Sequence, residues 1–411
     1  AMIYTIGAIV GAASVGPVWA RLGRRRGLAA SAFVFLIGTT ACALAPDMGV
    51  LIVARGFQGF AGGLITGGGM AMVSAFFPEG LRKRILAAYQ GTWMVAQLSG
   101  PLVGGAFAEL GWWRGSFWTM IPIILIFGLL SWARVPDEAE EDTPRKDATR
   151  FPFVRIALLA SGVFAVALAG PVTDTALRVA LVISALVLIW ATFRLDRVSS
   201  NRLYPSGALS PRSPVGLALM ILFFAGMAQT SVNLFIPLLL QVVHGVTPLF
   251  ISFVTIVVSF GWTVGTFVVS GWSGRRERWA MMAGPLMMWV GLAGIAATAT
   301  LPWLVVLTLC AFLLGLGVGV HNVHLVARTM ANAKPGEERV TSSAMPSVRS
   351  IGTAFGAAVA GVLSTIAGLG DATEPEAVGR AVTLVYSANL VPLTGAVIFM
   401  ALLVRMTARR A

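Results

Sequence analysis

This 411-residue chain predicts an all-α integral membrane protein, and three observations carry that reading. First, 57% of the residues are hydrophobic and only 11% are charged, where a soluble chain carries roughly 25% charged residues. The mean hydropathy is +0.84. A soluble fold cannot hide so much apolar surface, because the buried fraction rises only slowly with size, so lipid is the solvent for most of the chain. Second, the apolar residues fall in continuous runs of the length that crosses the hydrocarbon as a helix, about 20 residues. Barrel strands would instead alternate over about ten residues. Third, the cations gather in every second gap between the runs.

In chain order the expected spans are 2–19, 28–45, 50–76, 86–108 and 116–134, forming a front bundle within residues 1–134. A polar, proline-bounded linker at 135–152 (VPDEAEEDTPRKDATRFP) follows. Proline and charge mark it as a surface connection. It leads to an inserted helix pair, 154–170 and 176–193, and a second polar loop at 194–213, so residues 135–213 form a middle section. A rear bundle of six spans fills 214–411: 214–240, 248–271, 280–299, 303–327, 343–366 and 381–404. That makes thirteen spans. If the arginine turn at 21–26 faces the cytoplasm, 25 of the 30 lysines and arginines fall on that side. Only Arg114, Arg178 and Arg380 fall opposite, and Arg55 and Arg349 lie inside spans. Cations resist translocation, so the net charge of +13 reads as an inner-face bias and not as a nucleic-acid footprint. The protein is expected as a multi-pass protein of the cell inner (plasma) membrane. The same alternation places Ala1 outside, which suggests that a first span precedes it and that the parent has fourteen spans, six in each bundle beside the inserted pair. Cys42 and Cys310 lie in apolar runs and imply no disulfide framework.

Several short stretches stand out. GPVWARLGRRRGL carries Gly16, Arg21, Gly23, Arg24 and Arg25. Its glycines permit a tight turn, and its arginines anchor an inner face or simply set topology. ARGFQGFAGG places Arg55 a few residues into a span, with Gln58 one turn on. An arginine there has a partner or a task, or it snorkels to the interface. QGTWMVAQLSGPLVGG carries Gly91, Gly100, Pro101, Gly104 and Gly105. Small residues allow close helix packing in lipid, and the proline removes a helical hydrogen bond and bends the span. SVRSIGTAFGAAVAG sets Arg349 beside a small-residue face of Gly352, Gly356 and Gly361.

Together these stretches resemble the major facilitator superfamily, over nearly the whole chain. The first resembles the family's Gly-x-x-x-Asp-Arg-x-Gly-Arg-Arg loop, with Ala20 where the family usually has Asp, so the charge latch that this carboxylate serves is in doubt. The second resembles Arg-x-x-Gln-Gly, which the family ties to proton transfer. The third fits the antiporter motif Gly-x(8)-Gly-Pro-x-x-Gly-Gly, carried more by exporters than by importers. GWWRGSFW at 111–118 resembles the entry to the sixth span, with Met120 in place of the usual Asn, and SGWSGRRER at 270–278 is a weaker echo of the first motif. The resemblance points to the fourteen-span drug:proton antiporter branch. It implies a major facilitator fold and proton-coupled efflux of amphiphilic drugs or other small molecules by alternating access.

The residues themselves leave the coupling site open. None of the 17 acids lies in the middle of a span, although a proton-coupled exporter of cations needs a carboxylate. One on the absent first span is an option, and a cavity without any is the other. His321 and His324 lie three apart on one helix face, and imidazoles exchange protons near neutrality; two histidines in ordinary polar packing fit equally. A substrate cavity is suggested by Gln90, Trp93 and Gln97 along one span, Gln229 and Asn233 along another, and Asn322 between the histidines. Trp262, Met227 and Met287 offer an adaptable apolar wall. No further ligands support metal binding by the histidines, and no cofactor is expected. The partners expected are a small-molecule substrate, protons and the bilayer, with the chain acting as a monomer. Arg55 and Arg349 without buried acids also suit an anionic or lipid-like cargo, moved by a transporter or flippase. An integral membrane enzyme lacks support: no Asp-rich pair, HExxH or GxSxG occurs, and the glycine-rich AGGLITGGGM follows no strand and has no lysine.

Overall fold

The computed structural model describes residues 2–76, 79–136, 152–169, 172, 174–199, 202–371 and 374–408. Among them every regular element is helical. In order these are α1 (Met2–Ala13), α2 (Val15–Leu22), α3 (Arg24–Leu44), α4 (Met48–Phe76), α5 (Glu79–Glu109), α6 (Gly115–Trp118), α7 (Met120–Arg134), α8 (Phe153–Ala169), α9 (Thr175–Val198), α10 (Pro214–Leu238), α11 (Pro248–Val269), α12 (Gly274–Thr298), α13 (Leu304–Ala331), α14 (Glu338–Ile366) and α15 (Pro375–Ala408). Ten stretches of the described residues are long and apolar enough to cross a membrane, and α1 and α8 are shorter apolar helices. Large side chains such as Phe33, Val53, Leu129, Val305 and Val391 point outward, as they must where lipid replaces water.

Three details differ from the sequence expectation. The helices outrun the apolar runs: α5 has 31 residues, about 46 Å at 1.5 Å per residue, against roughly 30 Å of hydrocarbon. Hence Arg24, Arg25 and Arg26 begin α3, Lys83 and its neighbours lie in α5, and Arg275, Arg276 and Arg278 lie in the first turns of α12. Cations do not end a helix that has reached the headgroups. One run expected as a single span is divided: the first breaks at Ser14, whose hydroxyl donates to the Val10 carbonyl at 2.7 Å. The fifth crosses as one stretch, Gly115–Arg134. Finally, α10 passes into a π-turn at Leu239–Val243, just after Pro237. Proline has no N–H to bond the preceding turn, and a wider i→i+5 register takes over.

The chain divides into two units. The first comprises residues 1–95, 107–164 and 185–201, the second residues 96–106, 165–184 and 202–411. In the first, α1 lies so close to α4 that a Cβ on Gly59 would collide with the Tyr4 carbonyl and one on Gly63 with the Ala8 carbonyl. In the second, Gly352 and Gly356 of α14 stand in the same way against Phe223 and Met227 of α10, and Gly315 and Gly319 of α13 against Val258 and Trp262 of α11. Such contacts let backbones approach where no hydrophobic effect drives helices together. The second unit is filled by buried Leu239, Leu240, Met288, Leu292, Ile295 and Tyr386.

Candidate functional site

In the first unit the close fit of α1, α3 and α4 builds a polar relay. Arg55 donates from Nη1 to Gln58 Oε1 at 2.6 Å. Gln58 Nε2 donates to Thr39 Oγ1 at 2.8 Å, and Thr39 in turn donates to the Phe35 carbonyl at 2.8 Å. Gln58 is 2% exposed and Thr39 fully buried. The Arg55 guanidinium lies 4.6 Å from the centre of the Tyr4 ring and 6.0 Å from that of Phe117. The sequence anticipates Arg55 and Gln58. It gives no signal for Thr39 or Tyr4, because their part depends on which faces of α1 and α3 turn toward α4.

The first arginine turn is narrower than expected. Gly16 and Arg21 lie within α2, and the turn itself is Gly23, whose φ of 76° suits glycine. Arg25 stacks over Trp132 of α7 at 4.5 Å, Arg24 is half-buried and Arg21 exposed. In α5 the helix continues through Pro101. Gly105 is buried, with no room for a Cβ beside Ser252 of α11, whereas beside Gly100 and Gly104 a Cβ would meet nothing within 4 Å. Gly91 lies on the same helix. Gln97 is half-buried; the side chains of Gln90 and Trp93 lie outside the described residues.

In the second unit three helices converge on Arg349. Its Nη2 donates to Gln229 Oε1 of α10 at 2.9 Å, and the guanidinium lies 4.7 Å from the centre of the Trp262 ring of α11. Arg349, Gln229 and Trp262 are all half-buried, and Asn233, one turn beyond Gln229, is exposed. His321 is buried against Gly284 of α12 and donates from Nδ1 to the Gly317 carbonyl at 2.7 Å. His324 is 5% exposed, and its Nε2 is buried with no hydrogen-bond partner among the described residues. Asn322 is half-buried. The structure thus brings Arg349 to Gln229 and Trp262, and it leaves His324 out of any described hydrogen bond.

Other polar contacts escape a reading by sequence. Arg328 binds Glu277 at 2.7 Å and donates to Thr407 Oγ1 at 2.7 Å, tying α12, α13 and α15 together. Glu337, before α14, accepts from the Ser206 amide and hydroxyl at 3.1 and 2.9 Å, and the Tyr204 and Ser347 hydroxyls lie 3.1 Å apart. In the inserted pair Arg155 of α8 and Asp196 of α9 form a buried ion pair. His244, directly after the π-turn that ends α10, lies 2.9 Å from the Ala299 carbonyl.

The chain is similar to a probable multidrug-efflux transporter of Mycobacterium tuberculosis, with 29% identity over 404 residues that cover 95% of this chain and 84% of the relative. It is also similar to the multidrug resistance protein Stp of the same organism, with 26% identity over 364 residues, 87% of this chain and 67% of that one. Among solved structures, an auto-inhibited POT family peptide transporter superposes with a TM-score of 0.64 at 16% identity, covering 100% of this chain and 87% of that one. A D-xylose–proton symporter superposes with a TM-score of 0.61 at 15% identity, covering 94% and 85%. At such identities these two speak for the fold alone. The family model described as Major Facilitator Superfamily matches residues 1–357. The helices packed through glycine, the arginines held inside them and this match agree: the chain belongs to the major facilitator superfamily and is a multi-pass membrane transporter.

Proposed function

We propose that the protein exports amphiphilic small molecules across the inner (plasma) membrane, as a monomer driven by the proton gradient. Residues 1–134 and 214–411 are the two halves that rock for alternating access, with 135–213 as the inserted section. The observation that carries this reading is the half-buried polar group of Arg349, Gln229 and Trp262 inside otherwise apolar helices. A polar site at that depth marks a substrate or ion path by default. The names of the relatives, multidrug-efflux transporters at 29% identity, support efflux. Pro101 and the uncrowded Gly100 and Gly104 suit a helix that flexes as the halves rock. His324, with its unpartnered nitrogen, is the proposed proton carrier, and Arg55 and Gln58 hold the front half in register. The arginine turn with Gly23 acts as a gate at the inner face.

The test is transport in liposomes holding the purified protein and an acidic lumen. A fluorescent amphiphile is expected to accumulate inside, and a protonophore is expected to abolish the accumulation. Movement indifferent to the gradient would refute proton coupling, and no movement of any amphiphile would refute the efflux reading itself.

A further inference from the structure

Among the described residues Arg349 has no carboxylate partner. It lies eleven residues after the start of α14, which ends at Ile366, so about 16 Å of helix separates it from one end and about 26 Å from the other. The apolar stretch of that helix begins at Ala344, five residues before Arg349. The chain places no acid in the middle of any span, and the one hydrogen bond that the guanidinium makes among the described residues goes to a neutral amide. Of its five N–H donors, most therefore have no partner there. The residue is only half-buried, as are Gln229 and Trp262, and the exposed Asn233 continues the polar stripe one turn along α10. Arg55 differs: it lies near the start of α4, and its glutamine is buried and engaged at both ends.

We infer that Arg349, Gln229, Asn233 and Trp262 form a binding site for the carboxylate head of an amphiphile, the cargo itself supplying the missing charge. This deepens the efflux reading and rests on it. A planar guanidinium matches a carboxylate with two parallel hydrogen bonds. The guanidinium carbon lies 4.7 Å from the centre of the Trp262 ring, a contact that restrains the head of the side chain before the ligand arrives. Gln229 and Asn233 offer amide groups to the same head, and Met227, whose backbone abuts Gly356, offers an adaptable wall for the apolar part. An arginine among apolar helices gains more from such a partner than one at the surface does, because the interaction is less screened there.

The test uses the full chain in liposomes and three fluorescent amphiphiles with one tail and different heads: a carboxylate, its neutral amide and a tertiary amine. Rates in protein-free liposomes are subtracted. The carboxylate is expected to move faster than the amide by about tenfold or more. Arg349→Gln is expected to bring that ratio to about one, and Arg349→Lys to leave it in between, since a lysine keeps the charge without the fork. A ratio within one preparation does not depend on how much protein folded. A preference for the amine, or a ratio that survives in Arg349→Gln, overturns the inference. If amide and amine move and the carboxylate does not, this inference alone fails; if none moves, the efflux reading fails and takes this one with it.

Discussion

Arg55 and Arg349 meet one problem in two settings. A guanidinium inside a spanning helix costs up to about 3 kcal/mol, the figure for its centre. Each sits over an aromatic ring, Tyr4 or Trp262, and each donates to a glutamine. A desolvated cation–π contact contributes about 1–2 kcal/mol, and a hydrogen bond to a charged group about 1.5–3 kcal/mol, so the two together offset the burial. Gln58 is therefore expected to stabilise the fold, whatever part it has in transport. Gln58→Leu is expected to lower stability by roughly 2 kcal/mol, read as a lower melting temperature in detergent, while Gln58→Glu restores a partner for Arg55. An unchanged melting temperature in Gln58→Leu would show that the relay through Thr39 does not bind α3 to α4. His324 makes the opposite case. Its Nε2 is buried without a partner among the described residues, and replacing an unsatisfied polar group by an apolar one of similar size is nearly neutral or stabilising. His324→Met is thus expected to melt no lower than the parent, yet to lose gradient-driven accumulation by about tenfold or more, the contribution of a positioned proton-transfer group. A variant that keeps gradient-driven transport assigns the histidine to packing.

The helix pairs are set by glycines at contact, and that makes them brittle. At Gly319 the Trp262 carbonyl occupies the space of a Cβ. The carbonyl belongs to the α11 backbone and cannot rotate away, so Gly319→Leu must push α11 off α13 and shift the ring over which Arg349 stacks. Overpacking costs about 1–3 kcal/mol where side chains can adjust, and more is expected here. The variant should lose its monodisperse elution in detergent, while Gly104→Leu, where a Cβ meets nothing within 4 Å, should elute as the parent does. Equal behaviour of the two would contradict the close approach. The helices were legible because lipid demands long apolar runs, and so were the arginine turn and Arg55. Their partners were not. The Arg349 bond to Gln229 joins positions 120 apart, and the Arg155 pair with Asp196 joins positions 41 apart. Both depend on helix rotation, which apolar periodicity leaves free when every face is apolar. Helix ends were equally hidden, since charge marks the edge of the hydrocarbon and the backbone stays hydrogen-bonded beyond it.

The orientation of the chain in the bilayer rests on the cation map, and the helix bounds sharpen its test. Arg21 closes α2 and Arg24 to Arg26 open α3, with Gly23 alone between them. Arg275, Arg276 and Arg278 open α12, after the short turn that follows α11. From the first of these turns to the second the chain must cross the membrane an even number of times if cations mark one face. Dropping or adding a single span between them would put the two turns on opposite faces and leave the cation bias without a cause. The native cysteines do not interfere, because Cys42 and Cys310 both lie inside helices and can be replaced by alanine. Single cysteines at Arg26 and at Ser273 are then expected to react with a membrane-impermeant maleimide from the same side, and a cysteine at Asp47, between α3 and α4, from the other. In intact cells only the Asp47 position is expected to label. Labelling of Arg26 and Ser273 from opposite sides would break the pairing of the two bundles, and with it the rocking motion proposed for them.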